Sequence, residues 1–283
     1  MANEDKCKRS WLEVILPEKT LNLTDTDGLY IQTITKTHPE GDTDSIEMKG
    51  VDGVRPTSST YKPFDLEIEM LFRGSDKRDV DLFLFKLDNM LSLREPYYVR
   101  HSDLPGIKYA VLPTPKIEDS YKTIRDREIT LTFTCYKGYS ESYQATNKMN
   151  LVDGAWQFEE GIEADEDLKY IHYDWGFPIY NGSSDTINPF DHALTIKINI
   201  DAPNGFTLRN NTTGDVFEYY EPLKKSTGFM IKDIYPIKNI SDNVGRFTNF
   251  EWLTLAPGFN DIEITGKDIG YTKSEWIFNY VFR

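Results

Sequence analysis

The hydrophobic period of this chain changes in the middle of residues 64–93, and that change limits what the chain can fold into. Phe64, Leu66, Ile68, Met70 and Phe72 occupy every second position, with Asp65, Glu67 and Glu69 between them. This is the pattern of a strand with one wet face. Gly74 and Ser75 interrupt it. Val80, Phe83, Leu84, Leu87, Met90 and Leu91 then recur at three-to-four spacing, which is one stripe of a helix. Asp76 is placed to cap that helix, and Asp79 puts negative charge in its first turn. Pro96 marks its end. The spacing predicts a helix over residues 76–93, about 27 Å long at the usual rise per residue.

Neither element is stable alone. The strand needs the helix stripe against its apolar face and further strands beside it. Two candidates follow, at residues 107–112 and 128–136. In the second, Ile129, Leu131, Phe133 and Cys135 alternate with Thr130, Thr132 and Thr134. Residues 118–126 are polar and read as the loop before it.

Upstream, residues 11–16 form a short strand candidate stopped by Pro17. Asp27-Gly28 signals a turn into a strand over 29–35. Residues 37–44 are polar and read as a loop. Residues 46–60 contain the turn signal Asp52-Gly53 and no core pattern. They read as a projecting hairpin or arm whose backbone is free to add to a neighbour's sheet edge. Its proposed contact residues are Ile46, Met48, Val51, Asp52, Gly53, Val54 and Arg55. Residues 137–147 turn polar and small, which sets a domain boundary between 1–140 and 141–283.

The second half has no helical period. Leu194, Ile196, Ile198 and Ile200 alternate with polar residues, and Asn204-Gly205 turns the chain. Strand candidates follow at 206–208, 216–220, 228–231, 250–255, 260–265 and 276–282. Many short strands at near-regular spacing predict a sandwich or jelly roll.

Composition fits a packed fold. The 283 residues are 39% hydrophobic and 13% aromatic, with a formal net charge of −14. Such a surface repels nucleic-acid backbone and anionic membrane. No run approaches the ~20 apolar residues of a membrane-spanning helix, and residues 1–19 hold no apolar run of signal-peptide length. Cys7 and Cys135 form no disulfide framework, and Cys135 reads as a core residue.

Two stretches carry a resemblance to a known family. The first is GVDG at 50–53, followed by the alternating strand, the helix, Pro96-Tyr97-Tyr98 and the strand ending in Thr134-Cys135-Tyr136. The second is LAPGFNDI at 255–262, then Ile264, Gly266, Trp276, Ile277, Phe278, Phe282 and Arg283. In these features the chain resembles the distal tail proteins of siphophages, the bacteriophages with long non-contractile tails.

The resemblance implies a mainly β fold. It comprises an N-terminal β-sheet or split-barrel belt domain with one packed helix, and a C-terminal galectin-like β-sandwich. It implies a structural virion protein made in the host bacterial cytoplasm, with no enzymatic activity. Six copies would form a ring hub at the tail tip or baseplate, joining the tail tube to the adhesion device. The implied partners are further copies of itself, the major tail tube protein, the tape-measure protein, the tail-associated lysin or tail-tip protein, and a receptor-binding protein. An acidic surface would suit a ring that DNA passes without sticking. The acidic run at 159–167 (EEGIEADED) departs from the family pattern.

Catalytic and metal motifs are missing from the sequence. His38, His101, His172 and His192 show no ligand spacing, and no serine lies in GxSxG. His101-Ser102-Asp103 reads as a loop. Asp25-Thr26-Asp27-Gly28 lacks the later ligands of a calcium loop. No catalytic residue, metal site or cofactor is therefore expected. An alternative function is a carbohydrate-binding sandwich acting in host adhesion, with Trp175, Tyr173 and Tyr220 as glycan contacts. Aromatic residues in sandwiches more often belong to the core.

Overall fold

The computed structural model describes residues 10–148 and 168–283. The acidic run at 159–167, Trp156 and Cys7 lie outside the described residues. The chain divides into two compact units, one running to Glu141 with Arg283 added, the other covering Ser142–Phe282.

In the first unit the strands are β1 (Leu12–Ile15), β2 (Thr20–Asn22), β3 (Leu29–Lys36), β4 (Gly41–Glu47), β5 (Val54–Tyr61) and β6 (Phe64–Arg73). Helix α1 (Lys77–Leu91) follows, then β7 (Tyr97–His101), β8 (Ile107–Val111), β9 (Lys116–Tyr121), β10 (Asp126–Cys135) and a short β11 (Ser140–Ser142) at the unit boundary. The main sheet has the order β2-β1-β7-β8-β10-β6-β3, and β9 pairs with β10. Its spine is the antiparallel β6–β10 ladder, paired from Arg73 and Asp126 to Phe64 and Cys135. Leu66, Ile68, Met70, Ile129, Leu131, Phe133 and Cys135 are fully buried along it. Burial pushes the Cys135 thiol up to about 12, as expected for an inert core cysteine.

Helix α1 is the helix the period predicts, shorter by one residue at its start and two at its end. Asp76 Oδ1 accepts from Asp79 N at 2.9 Å, and Asp79 Oδ2 accepts from Ser75 N at 2.8 Å. Two N-terminal amides are thus satisfied reciprocally, a variant of the capping box. Val80, Phe83, Leu87 and Leu91 are buried. The Phe83 ring stacks on Phe72 of β6 at 3.9 Å, and Tyr97 Oη donates to Leu91 O at 3.1 Å.

Gly28 explains the turn into β3. Its φ is +84°, and a Cβ there would stand 2.3 Å from Arg73 O. Only glycine allows the turn to close on β6.

Two stretches read as loops are strands. Residues 116–121 form β9 although only Ile117 is less than exposed, and β4 reaches back to Gly41. Both are held by backbone pairing, with β9 along Arg127–Thr132 of β10 and β4 along β5. A polar strand whose side chains face water leaves no apolar alternation to read. His101 is likewise no loop residue. It ends β7, buried and stacked on Tyr109, and its Nδ1 accepts from Asp103 N at 3.3 Å.

The second unit is the expected two-sheet sandwich. One sheet runs β12 (Ile171–His172), β21 (Thr272–Phe278), β14 (Leu194–Ile200), β17 (Phe229–Lys232), β18 (Tyr235–Lys238), β19 (Asp242–Asn243). The other runs β13 (Gly176–Asn181), β20 (Gly258–Thr265), β15 (Phe206–Asn210), β16 (Val216–Tyr219). A short β22 (Val281–Phe282) closes the chain. The sheets meet through aromatic rings. Phe229 of one lies 4.9 Å from Tyr219 and 5.6 Å from Phe206 of the other, and Trp276 meets Phe177 edge-on at 6.2 Å.

The strand expected at 250–255 does not form. Phe250 takes φ +62°, and Thr254 N donates to Asp215 Oδ2 at 2.8 Å rather than to a strand. Only Leu255 makes an isolated bridge, to Ile187.

The LAPGFNDI stretch is held by Asn260, which is fully buried. Its Oδ1 accepts from Ala256 N at 2.9 Å and Asn210 Nδ2 at 3.0 Å. Its Nδ2 donates to Ala256 O at 2.7 Å and Gly258 O at 3.1 Å. One amide thus ties the Pro-Gly turn to two strands. Asn260→Ala strands those buried backbone groups and should destabilise the protein by about 2–3 kcal/mol in denaturant titration.

Burial holds the His101 imidazole below its ordinary range, with Asp103 partly opposing the shift, and His172 moves the same way. The unfolded chain then binds protons near pH ~6.5 while the native state does not. Stability is complete above that pH and declines as pH falls through it. His101→Gln should show a smaller drop in melting temperature than the parent protein between about pH 7.5 and about pH 5.5.

Candidate functional site

The most conspicuous surface feature of the first unit is the hairpin β4–β5. It forms a two-stranded sheet of its own, from Gly41↔Tyr61 to Glu47↔Val54. A bulge lies between Thr43 and Ser45, where Thr57 Oγ1 donates to Asp44 O at 3.0 Å. Lys62 N donates to Glu40 O at 2.9 Å and closes its base. At the tip, Val51 N donates to Met48 O at 3.2 Å. Gly50 and Gly53 take φ of +86° and +83°, which lets the backbone reverse between the strands.

All seven arm residues singled out from sequence lie on this hairpin. Ile46 pairs with Arg55 across the strands, and Met48, Val51, Asp52, Gly53 and Val54 form the end. The end is apolar yet exposed: Val51 keeps 60% of its surface in water, Val54 56% and Ile46 53%. A two-stranded ribbon carrying large apolar side chains at its tip is marginal in water on its own. From Gly41 to Glu47 the ribbon spans about 20 Å of extended chain.

The first unit offers two other features that a partner can use. β3 ends the sheet order, so among the described residues its outer edge has no strand. On α1, Leu82 and Phe85 face water one turn apart, with Arg78 and Lys86 exposed beside them. The helix face is apolar at its centre and mixed in charge, with Asp81 and Asp88 exposed beside Phe85 as well as Arg78 and Lys86. The hairpin end is apolar and carries Glu47 and Asp52 together with Lys49 and Arg55.

The glycan-contact residues sort differently. Tyr173 and Trp175 line one cleft of the second unit, while Tyr220 stands outside it, its Oη donating to Glu218 Oε2 at 2.9 Å. Trp252 packs edge-on against Phe190. Tyr170 and Tyr219 are core residues. Sequence reading missed Leu82 and Phe85. Their positions on the helix, off the buried stripe, were the available signal.

Among the described residues, no group of three or more His, Cys, Asp or Glu side chains is set to hold a metal ion. No described helix is long and apolar enough to cross a membrane.

With this geometry in view, comparison with known proteins is informative. Residues 18–135 match the family described as the phage tail protein RIFT-related domain, which spans most of the first unit. No curated protein matches the chain. Among solved structures, the chain is similar to the Dit (gp 19.1) protein of phage SPP1, described as a paradigm of the hub adsorption apparatus in phages that infect Gram-positive hosts. The TM-score is 0.68 at 12% identity, over 95% of this chain and 99% of that one. That likeness is one of fold. The phage P2 baseplate in its activated conformation with Ca matches at TM-score 0.46 and 9% identity, over 96% of this chain and 98% of that one.

Proposed function

We propose that this chain, whose residues 18–135 carry the RIFT-related domain of phage tail proteins, is a structural hub of a phage tail tip or baseplate. It assembles into a closed ring of six copies and joins the tail tube to the adhesion device. It works in the virion as a scaffold and not as an enzyme. Its neighbours above and below are the tail tube, tape-measure and tail-tip proteins. The observation that carries this reading is the β4–β5 hairpin, a long ribbon with an apolar end that its own unit leaves exposed.

A cyclic ring requires heterologous contacts, in which one patch meets a different patch on the next copy. The first unit has such a pair. The hairpin end donates Ile46, Val51 and Val54 with Glu47 and Asp52. The α1 face accepts with Leu82 and Phe85 between Arg78 and Lys86. The apolar centres supply most of the strength of such a contact. The outer edge of β3 from Ile31 to Lys36, which no other described strand pairs, offers backbone pairing to the same ribbon. Because the two patches differ, each copy uses both, and six copies close into a ring when the contact turns each by a sixth of a circle.

The net charge of −14 works against association through mutual repulsion and favours passage of DNA without adhesion. Apolar contacts at the hairpin must overcome the first effect.

Deleting residues 46–60 should reduce the light-scattering mass from six times the protomer's 32.8 kDa to that of a single protomer. An unchanged mass would refute the arm. Val51→Asp and Phe85→Asp alter exposed side chains, so they should leave folding intact while each weakens assembly by about tenfold or more. Ile240→Asp, at a still more exposed position in the second unit, should leave the mass unaltered.

A further inference from the structure

We propose that the second unit binds carbohydrate in the open cleft formed by Tyr173, Asp174, Trp175 and Tyr271, against the faces of its three aromatic rings. The cleft has a volume of about 400 Å³ and also includes Gly270 and Thr272. Two chain segments far apart in sequence build it, the entry to β13 and the entry to β21.

Both segments are fixed by backbone hydrogen bonds. Ile264 N donates to Trp175 O at 2.7 Å, Asp201 N donates to Tyr271 O at 2.9 Å, and Gly270 N donates to Asp201 O at 2.8 Å. The backbone that carries the rings is therefore fixed before any ligand arrives, which lowers the ordering cost of binding. Tyr173, Trp175 and Tyr271 are exposed by 59%, 53% and 45%. Elsewhere in the same unit Tyr170, Phe177, Phe278, Tyr280 and Trp276 are buried, while Phe190, Tyr220, Tyr235, Phe250 and Phe259 are exposed outside the cleft. Three half-exposed aromatic residues around one cavity form a patch rather than scattered surface residues, and such a patch marks an interaction site.

The polar groups at the cleft select the ligand. Asp174 contributes an acceptor. Lys273 Nζ lies 5.7 Å from the Tyr173 ring centre and Lys225 Nζ lies 5.7 Å from that of Tyr271, so donors flank the rings on both sides. Thr272 in the cleft wall has a buried hydroxyl with no partner among the described residues. Mixed charge of this kind favours neither a cation nor an anion. A sugar fits it. The C–H face of a pyranose is apolar and lies flat on an aromatic ring, while its hydroxyls both donate to a carboxylate and accept from an ammonium. The cleft belongs to the second unit and the hairpin to the first.

The test uses the full-length protein with free glucose, galactose, N-acetylglucosamine and N-acetylgalactosamine, each titrated into the millimolar range and followed by saturation-transfer NMR and the Trp175 indole resonance. At least one sugar should give saturation transfer and shift that resonance. Trp175→Ala and Tyr271→Ala should each weaken that binding by about tenfold, whereas Tyr220→Ala should leave it unchanged. All three side chains are exposed, so matching melting temperatures will separate lost contact from lost fold. Failure of all four sugars to perturb the protein, or binding that survives Trp175→Ala, overturns the proposal.

Discussion

The first unit depends on one ladder. Along β6 and β10 each buried side chain faces a buried partner: Leu66 with Phe133, Ile68 with Leu131, Met70 with Ile129. Side chains on a strand alternate with period two, so a slip of one residue would turn the whole set to water. The register is therefore fixed by burial at every second one of ten consecutive pairs. Helix α1 packs on β6 through Phe72 and Phe83, and β3 pairs along the other edge of β6. The hairpin links β3 to β6, two strands that pair directly, so the ladder also anchors the root of the arm.

What the sequence made legible was whatever buries one face. Strands β6, β10 and β14 and helix α1 each place apolar residues at the period of their structure, and each lies within a few residues of its predicted span. Strand β9 was illegible for the opposite reason. Its sequence KIEDSY keeps its side chains in water and its order comes from β10. The stretch at 250–255 misled because Phe250, Trp252, Leu253 and Leu255 mimic alternation, while a positive φ at Phe250 and the Asp215 carboxylate impose another path. The hairpin was read from what it lacked, a core pattern, together with its Asp52-Gly53 turn. The aromatic cleft was half legible. Tyr173 and Trp175 are neighbours in sequence, but Tyr271 reaches them only through the sandwich topology, and Tyr220 belongs elsewhere.

The two units solve different physical problems. The first holds a hairpin at its root while leaving the apolar end of that hairpin in water. A rigid sheet backed by a helix meets that need. The second relies on interdigitated aromatic rings between two sheets and on buried amides such as Asn260 and Asn210, which satisfy the backbone of irregular turns. A closely packed sandwich of this kind holds surface loops in fixed positions, and the cleft at Trp175 is built from such loops.

Self-association through the first unit is the central claim. The most direct measurement is electron microscopy of the purified wild-type protein, with class averages viewed down the particle axis. The account predicts annular particles with six-fold symmetry and a central opening. Single protomers at every concentration tested, or particles with two-fold symmetry and no opening, would contradict it.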